Sequence, residues 1–126
     1  MLPEDRLYTK THEWAMEQNG KILVGLTAHA AEALGDIVFV ELPPLGKKVG
    51  SGEATAVVES VKAASDIFAP LSGEVAQVND TLADAPESLN HDPWGTWIFA
   101  LAPEDKKELS SLLDARGYAE LLAKET

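Results

Sequence analysis

Residues 57–68 read VVESVKAASDIF and place one lysine, Lys62, between two strand-like runs. The residues before Lys62 are mostly branched and apolar, as β-strands prefer. The small residues after it, Ala63, Ala64 and Ser65, suit a tight turn. The pattern predicts a β-hairpin whose tip presents Lys62 on its long, flexible stem.

The charges around Lys62 are almost all negative. Lys62 is the only Lys or Arg between residues 49 and 105, a stretch that contains ten acidic side chains. Acylation of its amine would remove the single positive charge of this stretch. Two interpretations stay open at this point: a solvated lysine at a hairpin tip, or a lysine presented for covalent modification.

Composition limits the class of protein. The chain has 126 residues, no cysteine, and 10 Lys plus Arg against 21 Asp plus Glu, a net charge of −11. This length suits one domain, expected over residues 1–126. The acidic charge disfavours binding to nucleic acid or to an anionic membrane. The N-terminal residues MLPEDRLYTK resemble neither a signal peptide nor a transit peptide. We therefore expect a cytoplasmic protein of bacterial type, with a mature mitochondrial form as the alternative.

Short strands and turns fill most of the chain. Asn19-Gly20 is a hairpin-turn dipeptide, and Thr27 and Gly35 are placed to cap a short helix, Ala28–Leu34. This spacing predicts an all-β sandwich or barrel over about residues 6–102. The last part of the chain has helical composition and predicts a helical C-terminal cap over about residues 103–126, divided into two helical pieces at Gly117. Strands are expected at residues 21–27, 36–42, 53–61, 66–69 and 74–78.

The chain lacks the motifs of a self-contained enzyme. It has no G-x-S-x-G elbow, no phosphate-binding glycine loop and no H-E-x-x-H motif. His12, His29 and His91 are far apart in the sequence and show no metal-ligand spacing, so no metal site is expected. A non-catalytic protein is the prediction.

Residues 59–66, ESVKAASD, resemble the lipoyl-attachment segment of glycine cleavage system H proteins. Biotin carriers usually place methionines beside the lysine, and lipoyl domains of 2-oxoacid dehydrogenases usually lack a C-terminal helical extension, so both fit this sequence less well. Other matching segments follow in the family's order at residues 11–14, 24–30, 34–43, 69–75, 78–79, 90–97 and 112–114.

The resemblance implies a mainly β fold with minor α, a barrel-sandwich hybrid with a short helix after the first hairpin and a C-terminal helical cap. It also implies a lipoyl carrier that shuttles the aminomethyl intermediate of glycine decarboxylation. The implied partners are a pyridoxal-phosphate glycine decarboxylase, a tetrahydrofolate-dependent aminomethyltransferase, a flavin (FAD) dihydrolipoyl dehydrogenase and a lipoylating enzyme, and the carrier itself is expected to be a monomer. The alternative is an H-like relay that donates lipoate to other enzymes.

The resemblance also implies roles for six residues. Lys62 would carry lipoate through an amide bond, and Glu59 would be read by the lipoylating enzyme. The lipoyl-lysine side chain that carries the aminomethyl group, called here the loaded arm, would bind in a cleft. Four further residues would form this cleft, and most of them offer carboxylate or hydroxyl groups to the cationic amine of the cargo. These are Thr11, where many family members have serine, together with Glu13, His29 and Asp66.

Overall fold

The computed structural model describes residues 2–125, which form two antiparallel β-sheets with short helices at their edges. The first three strands are β1 (Leu7–Tyr8), β2 (Glu13–Gln18) and β3 (Lys21–Leu26), and the next three are β4 (Ile37–Glu41), β5 (Lys48–Val49) and β6 (Ala54–Ser60). The last three are β7 (Ala64–Phe68), β8 (Gly73–Val78) and β9 (Trp97–Pro103). The α-helices are α1 (Ala28–Leu34), α2 (Thr81–Asp84), α3 (Ser88–His91) and α4 (Ala115–Glu125), with a 3₁₀ helix at Lys106–Ser111.

The two sheets enclose the main apolar core. The larger sheet has the strand order β1-β2-β3-β9-β8-β5, and the smaller has β4-β6-β7. Strand β9 lies inside the larger sheet, and its residues 98–101 are all fully buried. Because both sheets contribute branched side chains to one core, the smaller sheet and its hairpin are fixed against the larger one.

The first hairpin and the helix after it confirm the sequence prediction closely. Asn19 and Gly20 both have positive φ (54° and 80°), as a two-residue hairpin turn of the primed type requires. The Thr27 hydroxyl caps α1 by accepting from the Ala30 N–H, and the Gly35 N–H donates to the Ala31 carbonyl. All five predicted strands are present, with ends shifted by one or two residues.

The C-terminal segment differs from the prediction at Gly117. The break in helical structure falls before it, where Leu113 exchanges two backbone hydrogen bonds with Tyr8 of β1. Gly117 lies in the first turn of α4, and its N–H donates to the Asp114 carboxylate at 2.8 Å. The prediction of a break at Gly117 was wrong because Asp114 caps this turn and makes glycine acceptable there. Of the expected cap over residues 103–126, Thr126 lies outside the described residues, as does Met1 at the start of the expected domain.

A second apolar cluster joins α4 to the first strands. Tyr8, Trp14 and Tyr118 form its buried centre, and the rings of Tyr8 and Tyr118 stack with centroids 4.8 Å apart. This packing holds α4 against β1 and the start of β2. No helix within residues 2–125 has the length and apolar character needed to cross a membrane.

Burial of the tyrosine pair predicts a loss of stability in alkali. Desolvation raises the pKa of Tyr8 and of Tyr118 to about 12, from an ordinary value of 10.0. Between these values the unfolded chain has lost the phenolic protons that the folded chain keeps, so the free energy of unfolding falls as the pH rises. The slope is at most about 1.4 kcal/mol per pH unit for each tyrosine. We expect urea unfolding at about pH 9 and about pH 11 to show this fall, and Tyr118→Phe to reduce it. An equal fall in Tyr118→Phe would contradict this explanation.

Candidate functional site

Lys62 lies at the tip of the β6–β7 hairpin, as predicted. Glu59 pairs with Ala64, and the Ser60 N–H donates to the Ala63 carbonyl at 2.8 Å, which leaves Val61 and Lys62 as a two-residue loop. The Ser60 hydroxyl accepts from the N–H groups of Lys62 and Ala63 at 3.2 and 3.1 Å. One serine side chain therefore satisfies two backbone donors at the tip, which holds the loop in a single shape.

A corner of the chain after α1 supports this hairpin from one side. The Val61 N–H donates to the Asp36 carbonyl at 3.0 Å. The side-chain amide of Asn90, in α3, bonds both sides of that corner, donating to the Gly35 carbonyl at 2.8 Å and accepting from the Ile37 N–H at 2.9 Å. The tip that presents Lys62 is thus braced through the corner against α3.

The side chain of Lys62 runs past Gly35, the C-cap of α1. A methyl group at Gly35 would lie 3.2 Å from Lys62 Cε, a close contact that the exposed lysine side chain can relieve by a small shift. Gly35 has a φ of 79°, and this backbone conformation favours glycine there. Lys62 is exposed, and no hydrogen bond or ion pair holds its ammonium group within residues 2–125. Its amine is therefore free to react.

A cleft of about 280 Å³ opens between α1 and β7, beside this hairpin. Three of the four predicted cleft residues line it: Thr11, His29 and Asp66. Asp66 is exposed on β7, four residues after Lys62, and Leu34, next to Gly35, lines the cleft from the side of α1. The cleft thus begins close to the Lys62 side chain.

Glu13, the fourth predicted residue, does not line this cleft but a neighbouring cavity of about 430 Å³, which shares Thr11 with it. Its side chain is buried, and its carboxylate accepts hydrogen bonds from the hydroxyls of Thr9 and Thr11, each at 2.5 Å, and from the Phe68 N–H at 3.2 Å. These bonds tie the segment before β2 to β7. Glu13 therefore bonds Thr11, a cleft residue, and contributes a buried negative charge beside it.

Two histidines that are far apart in the sequence meet at the same cleft. The rings of His12 and His29 lie with centroids 4.7 Å apart, and both residues line the cleft. His12 has a φ of 73°, a left-handed conformation that is uncommon for residues other than glycine. The wide sequence spacing of the histidines gave no sign of this pair, because the turn before β2 brings His12 to α1.

Glu59 lies on β6, at the base of the hairpin and opposite Phe39 of β4. Glu59 is half-buried, whereas Phe39 and Val61 are 51% and 69% exposed. A carboxylate and two exposed apolar side chains therefore surround the base and tip of the hairpin that presents Lys62.

The sequence reasoning missed the residues that support the tip. Ser60, Gly35 and Asn90 hold the Lys62 hairpin, yet the sequence marked Gly35 only as a helix cap and the other two only as members of the matching segments. A local signal could have marked Ser60, since it is the first residue of the turn and serine is a common turn former. No local signal marked Asn90, which acts across 55 residues of sequence.

Removal of the Ser60 hydroxyl tests its role at the tip. We expect Ser60→Ala to lower the free energy of unfolding by about 1 kcal/mol, because two N–H groups at the tip lose their acceptor. Modification of Lys62 by a lipoylating enzyme should slow severalfold, since the loop no longer has one shape. Urea unfolding and the time course of intact mass measure the two effects.

Ser110→Ala is the matched control for this variant. The Ser110 hydroxyl donates to the Lys107 carbonyl at 2.8 Å, in the exposed 3₁₀ helix. Its loss should leave the rate of Lys62 modification unchanged. Equal rates in Ser60→Ala and the unaltered chain would contradict the role assigned to the Ser60 hydroxyl.

The fold of this chain is similar to that of a solved protein structure. The solved structure of a glycine cleavage system H protein from Mycobacterium marinum aligns with a TM-score of 0.89 and 40% identity, covering 97% of this chain and 99% of that one. This alignment confirms the expected barrel-sandwich fold, including the short helix and the C-terminal helix.

Sequence comparisons give the same assignment. A glycine cleavage system H protein from Thermus thermophilus is 56% identical over 125 residues, or 98% of each chain. Glycine cleavage system H protein 2 from Pseudomonas putida is 55% identical over 122 residues, or 96% of each chain. The family model described as glycine cleavage H-protein matches residues 6–125. The chain belongs to the glycine cleavage H-protein family.

Proposed function

We propose that this chain is the lipoyl carrier of a glycine cleavage system and that lipoate is attached to Lys62. Proteins of this family carry lipoate on a lysine and are not themselves catalysts. The observation that carries the assignment to Lys62 is its place at the tip of a braced hairpin, with an exposed amine beside a cleft.

The residues around Lys62 fit a lipoyl group. Its amine is free to form an amide, and the tip projects from the smaller sheet, where an enzyme can reach it. When bound, the lipoyl group supplies the disulfide and dithiol chemistry, so a chain with no cysteine needs no thiols of its own. The chain contributes a fixed attachment point, which keeps the cargo at high effective concentration near each partner.

The cleft residues are suited to an arm that ends in a cationic amine. We propose that Asp66 and Thr11 bind the amine directly, and that the buried Glu13 carboxylate holds Thr11 and adds negative charge beside it. His29 lines the same cleft from α1. These side chains would orient the arm and keep water away from its cargo.

Membership of the family implies interaction with the other components of the system. We propose that the partners are the pyridoxal-phosphate glycine decarboxylase, the tetrahydrofolate-dependent aminomethyltransferase, the FAD-containing dihydrolipoyl dehydrogenase and a lipoylating enzyme. The exposed side chains of Phe39 and Val61 beside Lys62 support docking at the hairpin, and Glu59 would be read there by the lipoylating enzyme. A monomer keeps this surface open to successive partners. The bacterial sources of the relatives support a cytoplasmic location.

Intact mass tests the proposed function. The chain is produced in a host supplied with lipoate, and its mass is compared with that of the chain from a lipoate-free culture. We expect a single lipoyl adduct, which fragmentation places on Lys62, and glycine–bicarbonate exchange that depends on the adduct. Absence of an adduct after treatment with a lipoate ligase would overturn the proposal. An adduct that passes to other enzymes without supporting exchange would indicate a lipoate relay.

A further inference from the structure

Three side chains that offer metal ligands meet where α4 ends. His12 Nε2 lies 3.2 Å from Glu125 Oε1, and His29 Nε2 lies 4.0 Å from the same oxygen. One ligand atom from each residue lies within 4.8 Å of the other two. The three residues come from separate elements: the turn before β2, α1 and the last turn of α4.

These separations are close to those in a metal centre. A tetrahedral Zn²⁺ ion with bonds of about 2.0–2.1 Å holds its ligand atoms roughly 3.4 Å apart. The pair formed by His12 and Glu125 already meets this value. His29 Nε2 lies 4.0 Å from Glu125 Oε1, and the ligand atoms of the two histidines lie within 4.8 Å of each other, so His29 needs a shift of at most about 1.5 Å, within reach of a side-chain rotation. Two imidazoles and one carboxylate are also the ligand set of many three-ligand zinc sites.

A buried hydroxyl holds the ring of His12 in place. The Tyr118 hydroxyl lies 2.7 Å from His12 Nδ1 and 2.8 Å from the Thr27 hydroxyl. The Tyr118 hydroxyl can accept from Nδ1–H and donate to Thr27, which leaves the lone pair of Nε2 for a metal. A ligating histidine typically has such a partner on its second nitrogen.

The electrostatic setting favours a cation. Glu125 is at the C-terminal end of α4, where the helix dipole contributes partial negative charge, so its own charge is unfavourable there without a positive partner. The net charge of the whole chain, −11, also favours the binding of a cation. The side chains of Glu125 and His29 are 39% and 40% exposed, so an ion could enter from solvent and keep a water ligand.

We propose that His12, His29 and Glu125 form a binding site for one divalent transition-metal ion of the Zn²⁺ class. Imidazole nitrogen selects such ions over Ca²⁺ and Mg²⁺, which prefer oxygen ligands. The ion would link α4 to α1 and to the turn before β2, at the edge of the cleft that His12 and His29 line. This site does not depend on the proposed attachment of lipoate to Lys62.

Calorimetric titration with Zn²⁺ tests the site. The full chain is prepared without lipoate, so that no cofactor thiol binds the metal, and without a histidine tag. We expect one saturable site, weakened more than about tenfold by His29→Gln and by Glu125→Gln. At Zn²⁺ concentrations near a hundred times Kd, Tm of the unaltered chain should rise by about 8 °C.

His91→Gln is the matched control, because His91 is exposed on α3 and outside the cluster. Its Zn²⁺ affinity should equal that of the unaltered chain, and Ca²⁺ and Mg²⁺ should produce no saturable heat. Circular dichroism confirms that each variant is folded before titration. An absence of saturable Zn²⁺ binding would overturn the proposal, as would a Zn²⁺ affinity of His29→Gln and Glu125→Gln equal to that of the unaltered chain; either result would show that the cluster is an ion-pair network only.

Discussion

Lys62→Arg is expected to abolish lipoyl carriage completely while leaving the fold unchanged. The side chain is exposed at the hairpin tip, and the tip is held by the Ser60 hydroxyl and by backbone bonds that do not involve the lysine side chain. Arginine keeps the charge and length, but its guanidinium does not form the amide that the lipoylating enzyme makes. The intact mass should show no adduct, and glycine–bicarbonate exchange should fall to the level without carrier.

Lys48→Arg is the matched control for this experiment. Lys48 is an exposed lysine on β5, a strand of the other sheet. Its replacement should leave both the lipoyl adduct and the exchange rate unchanged. The free energies of unfolding of the two variants should agree within about 0.5 kcal/mol, as is usual for exposed positions. An adduct of normal yield on Lys62→Arg would mean that another lysine carries the cofactor.

The parts of the fold that depend on neighbouring residues could be predicted from the sequence. The Asn19-Gly20 turn, the α1 caps at Thr27 and Gly35, and the hairpin around Lys62 each follow from a few adjacent residues and their backbone preferences. Strands β1, β2, β5 and β9 and the short helices α2 and α3 were not among the predicted elements. For β1, β5, α2 and α3 the reason is that segments of two to four residues carry too little pattern.

The parts of the site that depend on distant residues could not be predicted from pattern alone. Family resemblance indicated Thr11, Glu13, His29 and Asp66, and the structure places three of them around one cleft. Glu13 is buried and accepts a hydrogen bond from the Phe68 N–H, 55 residues away, and no local signal marks this contact. The pairing of His12 with His29 likewise needs the turn before β2 to lie against α1.

Glu13→Ala is expected to destabilise the fold as well as the proposed arm site. The Thr9 and Thr11 hydroxyls lie 3.2 Å apart and can bond each other, but the Phe68 N–H loses its acceptor and a cavity opens in a buried place. We expect the free energy of unfolding to fall by about 3 kcal/mol. Lipoylation should still proceed on the folded fraction, since the hairpin tip makes no hydrogen bond to Glu13. Urea unfolding and intact mass measure the two outcomes.

Glu13→Gln separates the charge of this residue from its structural role. A glutamine can accept from the Phe68 N–H and donate to the Thr9 and Thr11 hydroxyls, which rotate to accept, so the loss of stability should be only about 1 kcal/mol. Because glutamine is neutral, the cationic cargo amine loses the buried charge beside Thr11, and ammonia should be released faster from the loaded arm. Glu17→Ala, an exposed residue of β2 paired with Lys106, should change neither property by much. If Glu13→Gln retains its cargo as long as Glu17→Ala does, Glu13 serves the fold alone, and binding of the amine rests on Asp66 and Thr11.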